Sequence, residues 1–197
     1  MNTVVGITGA SGVVYGKRLL EVLPGEKTVI VSDEAAKIAE VELGMGKNQM
    51  HALANHHFEN DDMFSPLASG SVKFDSMVIA PCSTSTMSKI SCGIADNLIT
   101  RIASVALKEK RRLVLLIRET PLSSIHLGNM ERVSLAGAIV MPASPAFYPQ
   151  PKSVDDLIDF IVGRVLDELG IDNRLYERWS GKNSGVTGSR GSRRTRR

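Results

Sequence analysis

The chain alternates short apolar runs with longer segments in which apolar residues recur at helical spacing. The runs cover 3–7, 28–31, 77–80, 113–117 and 138–141, and each is rich in Val, Ile or Leu without polar alternation. Such runs are typical of parallel strands that are buried on both faces. The pattern predicts an α/β fold, a single Rossmann-like doubly wound parallel sheet with helices on both faces and right-handed crossovers.

Two of the intervening segments have clear helical periodicity. In 96–109 and 154–169 the apolar residues fall on one face, at spacings of three, four and seven. Ser153 is a predicted N-cap of the second helix, and Gly170 is predicted to end it. Segment 44–76 has neither pattern, and we expect a loop or short helices there, over the site.

Charge divides the chain into a body and a tail. Lys182 and five arginines lie in the last 16 residues, which contain no acid; without these six, 18 basic residues face 21 acidic ones. We therefore predict one α/β domain over 1–179 and a basic, disordered tail over 180–197. Contact of the tail with polyanions or a membrane surface is the alternative. The body lacks the basic excess of a nucleic-acid-binding protein.

The residue composition also bears on the compartment of the protein and on metal binding. Two cysteines, Cys82 and Cys92, make neither a disulfide framework nor a zinc site, and they favour a reducing compartment. No apolar run approaches the roughly 20 residues that span a bilayer, and no signal peptide is evident. We expect a cytoplasmic protein. His56 and His57 stand near three acids, but adjacent histidines in an irregular segment favour a polar loop over a metal site.

Parallel sheets of this kind bind ligands beyond the carboxyl ends of their strands, so the loops there are the first place to look for chemistry. The first loop runs from Gly6 to Gly12, and its glycines allow a tight turn before a helix near Val13 whose N–H groups would face an anion. It is not a Gly-x-Gly-x-x-Gly motif, and Ser32 follows the second strand where NAD-binding proteins carry an acid. This favours a mononucleotide or a bare phosphate; a purely structural turn is the alternative.

Two further loops carry candidate ligands. Four consecutive hydroxyls, Ser83–Thr86, follow the third strand and could bind a phosphate or cap a helix. Arg118 and Glu119 follow the fourth strand, where they could meet an anion or pair with each other. Lys108 could bind an anion or be an ordinary surface lysine at a helix end.

Taken together, five motifs in register resemble a known family. They are Thr8-Gly9-Ala10-Ser11-Gly12-x-x-Tyr15-Gly16, Pro81-Cys82-Ser83-Thr84, Asp96-Asn97-Leu98, Arg118-Glu119-Thr120-Pro121-Leu122-Ser123 and Pro145-Ala146-Phe147-Tyr148-x-Gln150-Pro151. Their order and spacing resemble the UbiX-type flavin prenyltransferases, a branch of the homo-oligomeric flavin-containing decarboxylase-like fold. The resemblance covers nearly all of 1–179.

The resemblance implies a role for individual residues. It implies FMN binding by Gly9, Ala10, Ser11, Ser32, Ser83, Thr84, Ser85, Thr86 and Arg118. It implies binding of the phosphate of dimethylallyl monophosphate by Tyr148, Arg164 and Lys108. As catalytic residues it implies Ser11, Glu42, Lys108 and Glu119, with no metal ligand.

The implied reaction joins the dimethylallyl group to N5 and C6 of reduced FMN, which is formally a substrate. The resemblance further implies a large homo-oligomer with sites between subunits, and transfer of the prenylated flavin to a separate decarboxylase. The alternatives are an FMN-dependent cysteine-type decarboxylase of the same fold and a flavodoxin-like FMN electron carrier. The cysteine-type decarboxylases typically have an active-site histidine that has no evident counterpart in this sequence. An electron carrier would not need Lys108, Arg118 and Arg164 together.

Overall fold

The computed structural model describes residues 1–181, and a six-stranded, all-parallel sheet forms its centre. The strands are β1 (Asn2–Ile7), β2 (Glu26–Val31), β3 (His56–Glu59), β4 (Ser76–Cys82), β5 (Arg112–Ile117) and β6 (Ile139–Pro142). Their spatial order is β3-β2-β1-β4-β5-β6. The order reverses between β1 and β4, which is where a doubly wound sheet opens a crevice for a ligand.

Helices cover both faces of the sheet, as the sequence predicts. They are α1 (Val13–Val22), α2 (Asp33–Leu43), α3 (Lys47–His51), α4 (Thr84–Ser91), α5 (Leu98–Lys108), α6 (Ser124–Leu135) and α7 (Val154–Glu168), with a 3₁₀ turn at Pro66–Ala68. One apolar cluster joins α1, α2 and α7 to the sheet, and a second joins α4, α5 and α6 to the opposite face. Because β1, β2, β4 and β5 are covered on both sides, they are nearly continuous apolar runs in the sequence.

All five predicted strands are present, but the prediction for segment 44–76 was incomplete. That segment contains α3 and also β3, which pairs in parallel with β2 at the edge of the sheet. Three of the four β3 residues are exposed, including His56 and His57. An edge strand of four residues with polar side chains has no apolar run to reveal it.

The helix boundaries follow local capping chemistry. Ser153 accepts a hydrogen bond from the backbone N–H of Asp156 at 3.2 Å, which confirms it as the N-cap of α7. Gly170 follows α7 with a φ of 73°, a left-handed conformation that glycine adopts without steric cost. Among residues 1–181, no helix has the length and apolar character needed to cross a membrane. The predicted tail lies outside the described residues except for its first two positions.

Candidate active site

A polar cavity of about 500 Å³ opens beyond the carboxyl ends of β1, β2, β4 and β5. All nine residues for which the resemblance implies FMN binding line this cavity, together with Glu119. The other residues of its wall are Thr8, Glu34, Asn60, Lys89, Asn97 and Ile99. The fold therefore brings together loops that are more than 100 residues apart in the chain, at the strand ends where parallel sheets bind their ligands.

The four consecutive hydroxyl residues after β4 include a helix cap and further residues that line the cavity. Ser83 Oγ accepts from the backbone N–H of Thr86 at 3.2 Å and donates to Thr86 Oγ1 at 3.0 Å, so it caps α4. Thr84 and Ser85 also line the cavity, and their hydroxyls have no hydrogen-bond partner within residues 1–181. The capping interpretation is therefore confirmed for Ser83, and phosphate binding by the other hydroxyls stays a prediction.

Close packing explains the glycine in the first loop. A Cβ added to Gly9 would lie 2.7 Å from Cβ of Glu34, which is in the first turn of α2. Ser32 caps that helix by accepting from the backbone N–H of Ala35 at 3.1 Å. Gly9 therefore lets the β1 loop and the start of α2 meet at one wall of the cavity.

An anion already occupies the start of α1, and it belongs to the chain itself. The carboxylate of Glu42, near the end of α2, accepts from the backbone N–H of Gly12 at 2.9 Å and from that of Val13 at 3.1 Å. A carboxylate is stabilised there by the helix dipole and by the free amides. The sequence predicts that these amides face a bound anion. In this structure the anion that they bind is the carboxylate of Glu42.

Arg118 crosses from the end of β5 to the first loop. Its Nε donates to the backbone carbonyl of Ser11 at 3.0 Å, so it forms no ion pair with Glu119 within residues 1–181. Glu119 instead accepts from the backbone N–H of Thr120 at 3.0 Å. Beside the guanidinium, burial raises the pKa of Tyr15 although the positive charge of Arg118 opposes the shift. The phenol therefore stays protonated at neutral pH.

Besides Glu42, which is bonded to the start of α1, three predicted residues do not line this cavity in the single chain. Lys108 ends α5 and pairs with Glu109 at 2.6 Å beside a separate groove. Tyr148 lies in the loop before α7, where its ring packs edge-on against Phe160 at 5.9 Å between ring centroids. Arg164 lies on α7.

Sequence reasoning assigned no role to Asn60, although it joins two walls of the cavity. Its backbone carbonyl accepts from the N–H of Leu98 at 2.7 Å, and its side chain accepts from that of Ile99 at 3.1 Å. These bonds attach the chain after β3 to the start of α5. Asn60 directly follows β3, so recognising that strand in the sequence would have indicated Asn60, but the sequence pattern did not predict β3. Within residues 1–181, no group of three or more His, Cys, Asp or Glu side chains is placed to hold a metal ion.

Comparison with known proteins adds a family to this geometry. A family model described as "Flavoprotein" matches residues 1–166. The chain is 55% identical over 181 residues to the flavin prenyltransferase UbiX of Methanocaldococcus jannaschii, covering 91% of this chain and 98% of that protein.

Two crystal structures have the same fold over almost their full length. AnUbiX (PadA1), in complex with FMN and dimethylallyl pyrophosphate, superposes with a TM-score of 0.90 at 43% identity, covering 91% of this chain and 97% of the other. A dodecameric FMN-dependent UbiX-like decarboxylase from Escherichia coli O157:H7 superposes with a TM-score of 0.89 at 39% identity, covering 92% and 100%.

Proposed function

The chain belongs to the UbiX flavin prenyltransferases of the flavoprotein family, and on that premise we propose that it transfers a dimethylallyl group from dimethylallyl monophosphate to reduced FMN. The observation that carries the proposal is that Gly9–Ser11, Ser32, Ser83–Thr86 and Arg118 meet in one polar cavity. The prenylated flavin would then pass to a separate decarboxylase. The two cysteines support a cytoplasmic setting.

The residues of the cavity fit FMN. Its volume of about 500 Å³ lies within the range of roughly 300–1,000 Å³ that small-molecule sites occupy. The hydroxyls of Thr84 and Ser85 and the guanidinium of Arg118 are donors of the kind that bind a phosphate. Gly9 keeps one wall free of a side chain. When bound, the reduced flavin supplies the nucleophilic N5 and C6 atoms.

The second substrate needs its own cationic site, since phosphate leaves as the allylic C–O bond breaks. Lys108, Tyr148 and Arg164 would stabilise the charge that develops on this leaving group, and we expect no metal requirement. Because one chain places all three away from the cavity wall, we propose that neighbouring copies in a large homo-oligomer complete the site. The dodecameric relative supports that assembly.

A proton must also leave C6 of the flavin. Glu119 is our candidate acceptor because it lines the cavity and carries a carboxylate. Ser11 lines the same wall, and the carboxylate of Glu42, from the end of α2, is bonded to the following residues Gly12 and Val13; we propose that both residues orient the reacting groups. The released phosphate is a further possible acceptor.

The deciding experiment incubates the full chain with reduced FMN and dimethylallyl monophosphate. We expect a changed flavin absorption spectrum and a flavin product heavier by one prenyl unit. Carbon dioxide release from a cysteine-derived acid would instead indicate the cysteine-type decarboxylase. FMN binding with neither outcome would leave an electron carrier.

A further inference from the structure

Asp167, near the end of α7, collects four side chains on one carboxylate. Its Oδ2 accepts from the hydroxyl of Tyr176 at 2.5 Å and from Nη1 of Arg164 at 3.1 Å. Its Oδ1 accepts from Nη2 of Arg178 at 2.7 Å and from the amide of Asn173 at 2.9 Å. Three of these partners lie beyond α7, so Asp167 attaches the chain after the helix to the helix itself.

The helix surface is shaped to receive that segment. A Cβ added to Gly163 would lie 2.5 Å from the ring of Tyr176, so the absence of a side chain lets the ring sit directly on α7. Asn173 also donates to the backbone carbonyl of Gly163 at 3.1 Å. Contact therefore occurs through both shape and hydrogen bonding, one helical turn from Asp167.

An aromatic chain connects this contact to Tyr148. The ring of Tyr176 packs on Phe160 with 4.8 Å between centroids, and Phe160 packs edge-on against Tyr148. Trp179, at the end of the same segment, packs against Tyr148 from another side at 5.5 Å. The segment that Asp167 holds thus carries neighbours of Tyr148, while Asp167 directly contacts Arg164.

Asp167 is charged when it makes these contacts. Burial alone would raise the pKa of its carboxyl, but hydrogen bonds from Arg178 and Tyr176 and the positive charge of Arg178 lower it overall. Among residues 1–181, Arg164 donates one N–H of Nη1 to Asp167 and one N–H of Nη2 to Glu168, the latter at 3.4 Å. A guanidinium has five N–H groups, so three remain for a phosphate.

We propose that Asp167 is a positioning residue, which fixes Arg164 and Tyr148 in the geometry that binds the dimethylallyl phosphate. This inference rests on the proposed function, in which both residues bind that phosphate. A free arginine side chain loses conformational entropy when it binds, and a carboxylate that orders it beforehand reduces this loss.

The test compares Asp167→Asn with Asp159→Asn. Both remove one carboxylate charge from α7, but Asp159 pairs with Arg18 at 2.6 Å and is not bonded to Arg164. Steady-state turnover of reduced FMN with dimethylallyl monophosphate gives kcat and KM, and a flavin titration gives the FMN Kd. For Asp167→Asn we expect KM for the dimethylallyl substrate to rise about tenfold, equivalent to about 1.4 kcal/mol, with kcat and the FMN Kd within about twofold. Asp159→Asn should change none of the three.

A double-mutant cycle separates this role from a general loss of structure. If Asp167 acts through Arg164, then Asp167→Asn adds nothing to KM in an Arg164→Ala background. If the two substitutions instead multiply their effects on KM, the positioning role is overturned. It is also overturned if Asp167→Asn leaves KM unchanged while Arg164→Ala raises KM. An unchanged KM in Arg164→Ala would reject both this role and the proposed phosphate site. Should Asp167→Asn fail to fold, Tyr176→Phe removes one donor, and its KM must still rise, by about threefold, for the role to stand.

Discussion

The hydroxyl of Thr8 accepts a hydrogen bond from the backbone N–H of Ser83 at 2.8 Å and donates one to the carbonyl of Pro81 at 2.9 Å. Thr8 follows β1 and is almost fully buried, whereas Ser83 follows β4. One side chain therefore joins the two loops that supply Ser11 and Ser83–Thr86 to the cavity wall.

Replacing Thr8 with Val should weaken flavin binding. Valine has nearly the same shape, but it leaves the N–H of Ser83 without its partner. We expect the free energy of unfolding to fall by about 1–3 kcal/mol, the cost of an unpaired buried group. Because the two loops also lose both side-chain hydrogen bonds that join them, and within residues 1–181 keep only the backbone bond from residue 8 to Pro81, the FMN Kd should rise about tenfold, or about 1.4 kcal/mol. Urea unfolding and flavin fluorescence titration measure the two effects.

Thr3→Val is the matched control. The hydroxyls of Thr3 and Ser76 lie 3.1 Å apart, buried, and join the same two strands at the opposite end of the sheet. This variant should lose stability without any change in the FMN Kd. Equal weakening of FMN binding in both variants would mean that general destabilisation, and not loop geometry, explains the result.

Local chemistry made much of this architecture predictable. The strands β1, β2, β4 and β5 are largely buried on both faces, and β6 is partly buried; all five consist mainly of apolar residues, so apolar runs identify them in the sequence. Ser153 caps its helix through bonds to residues three positions away, a spacing that is legible along the chain. The rule that ligands bind at strand ends then gathered the residues of Gly9–Ser11 and Ser83–Thr86 correctly into one cavity.

Contacts across the fold account for what the sequence did not reveal. Glu42 reaches the amide of Gly12 only because α2 packs beside α1, and no local pattern encodes that approach. Asn60 follows β3 and reaches the cavity from there. Because the side chains of β3 are polar, this strand is held in place by its pairing with β2 and not by an apolar run of its own. The separation of Lys108 from the cavity depends on which end of α5 faces the loops. These are consequences of topology.

Two helical glycines should respond to alanine in opposite ways. A Cβ on Gly16 in α1 would lie 2.3 Å from the carbonyl oxygen of Ala80, a contact with backbone that cannot move aside cheaply. For Gly128 in α6, the added carbon would have no atom of residues 1–181 within 4 Å apart from the chain neighbours and the backbone of its own helix. We expect Gly16→Ala to destabilise the fold by about 1–3 kcal/mol and Gly128→Ala to stabilise it by up to about 1 kcal/mol. Chemical denaturation of both variants checks the signs, and destabilisation by both would contradict the packing argument.

Stability should fall in mild acid because of His51. This side chain is buried and stacks on His57, with 4.4 Å between ring centroids, and its Nε2 has no hydrogen-bond partner within residues 1–181. Burial, and then the neighbouring His57, lower its pKa. The unfolded chain therefore takes up the proton first: stability is complete above about pH 6.5 and is lost as the pH falls from there through the lowered folded pKa.

The variant His51→Phe isolates this effect, because phenylalanine keeps a ring against His57 and has no proton to gain. Denaturation midpoints at pH 8 and pH 5 should diverge between the parent and the variant, with the parent losing more on acidification. An equal difference at both pH values would show that His51 does not contribute to the acid sensitivity.

Arg118 allows the phosphate half of the flavin site to be tested separately from the ring. Its Nε is bonded to the carbonyl of Ser11, which leaves the terminal amino groups of the guanidinium available at the cavity wall. If they bind the phosphate of FMN, Arg118→Ala should raise the FMN Kd by about tenfold to a hundredfold, the range of a hydrogen bond to a charged group. Riboflavin has the same ring and no phosphate, so its Kd should change by less than about threefold, the scale of a neutral contact. Calorimetric titration of parent and variant with both flavins measures the four constants. A parallel loss of affinity for riboflavin would place Arg118 against the ring or the ribityl chain, because these are the parts that the two ligands share.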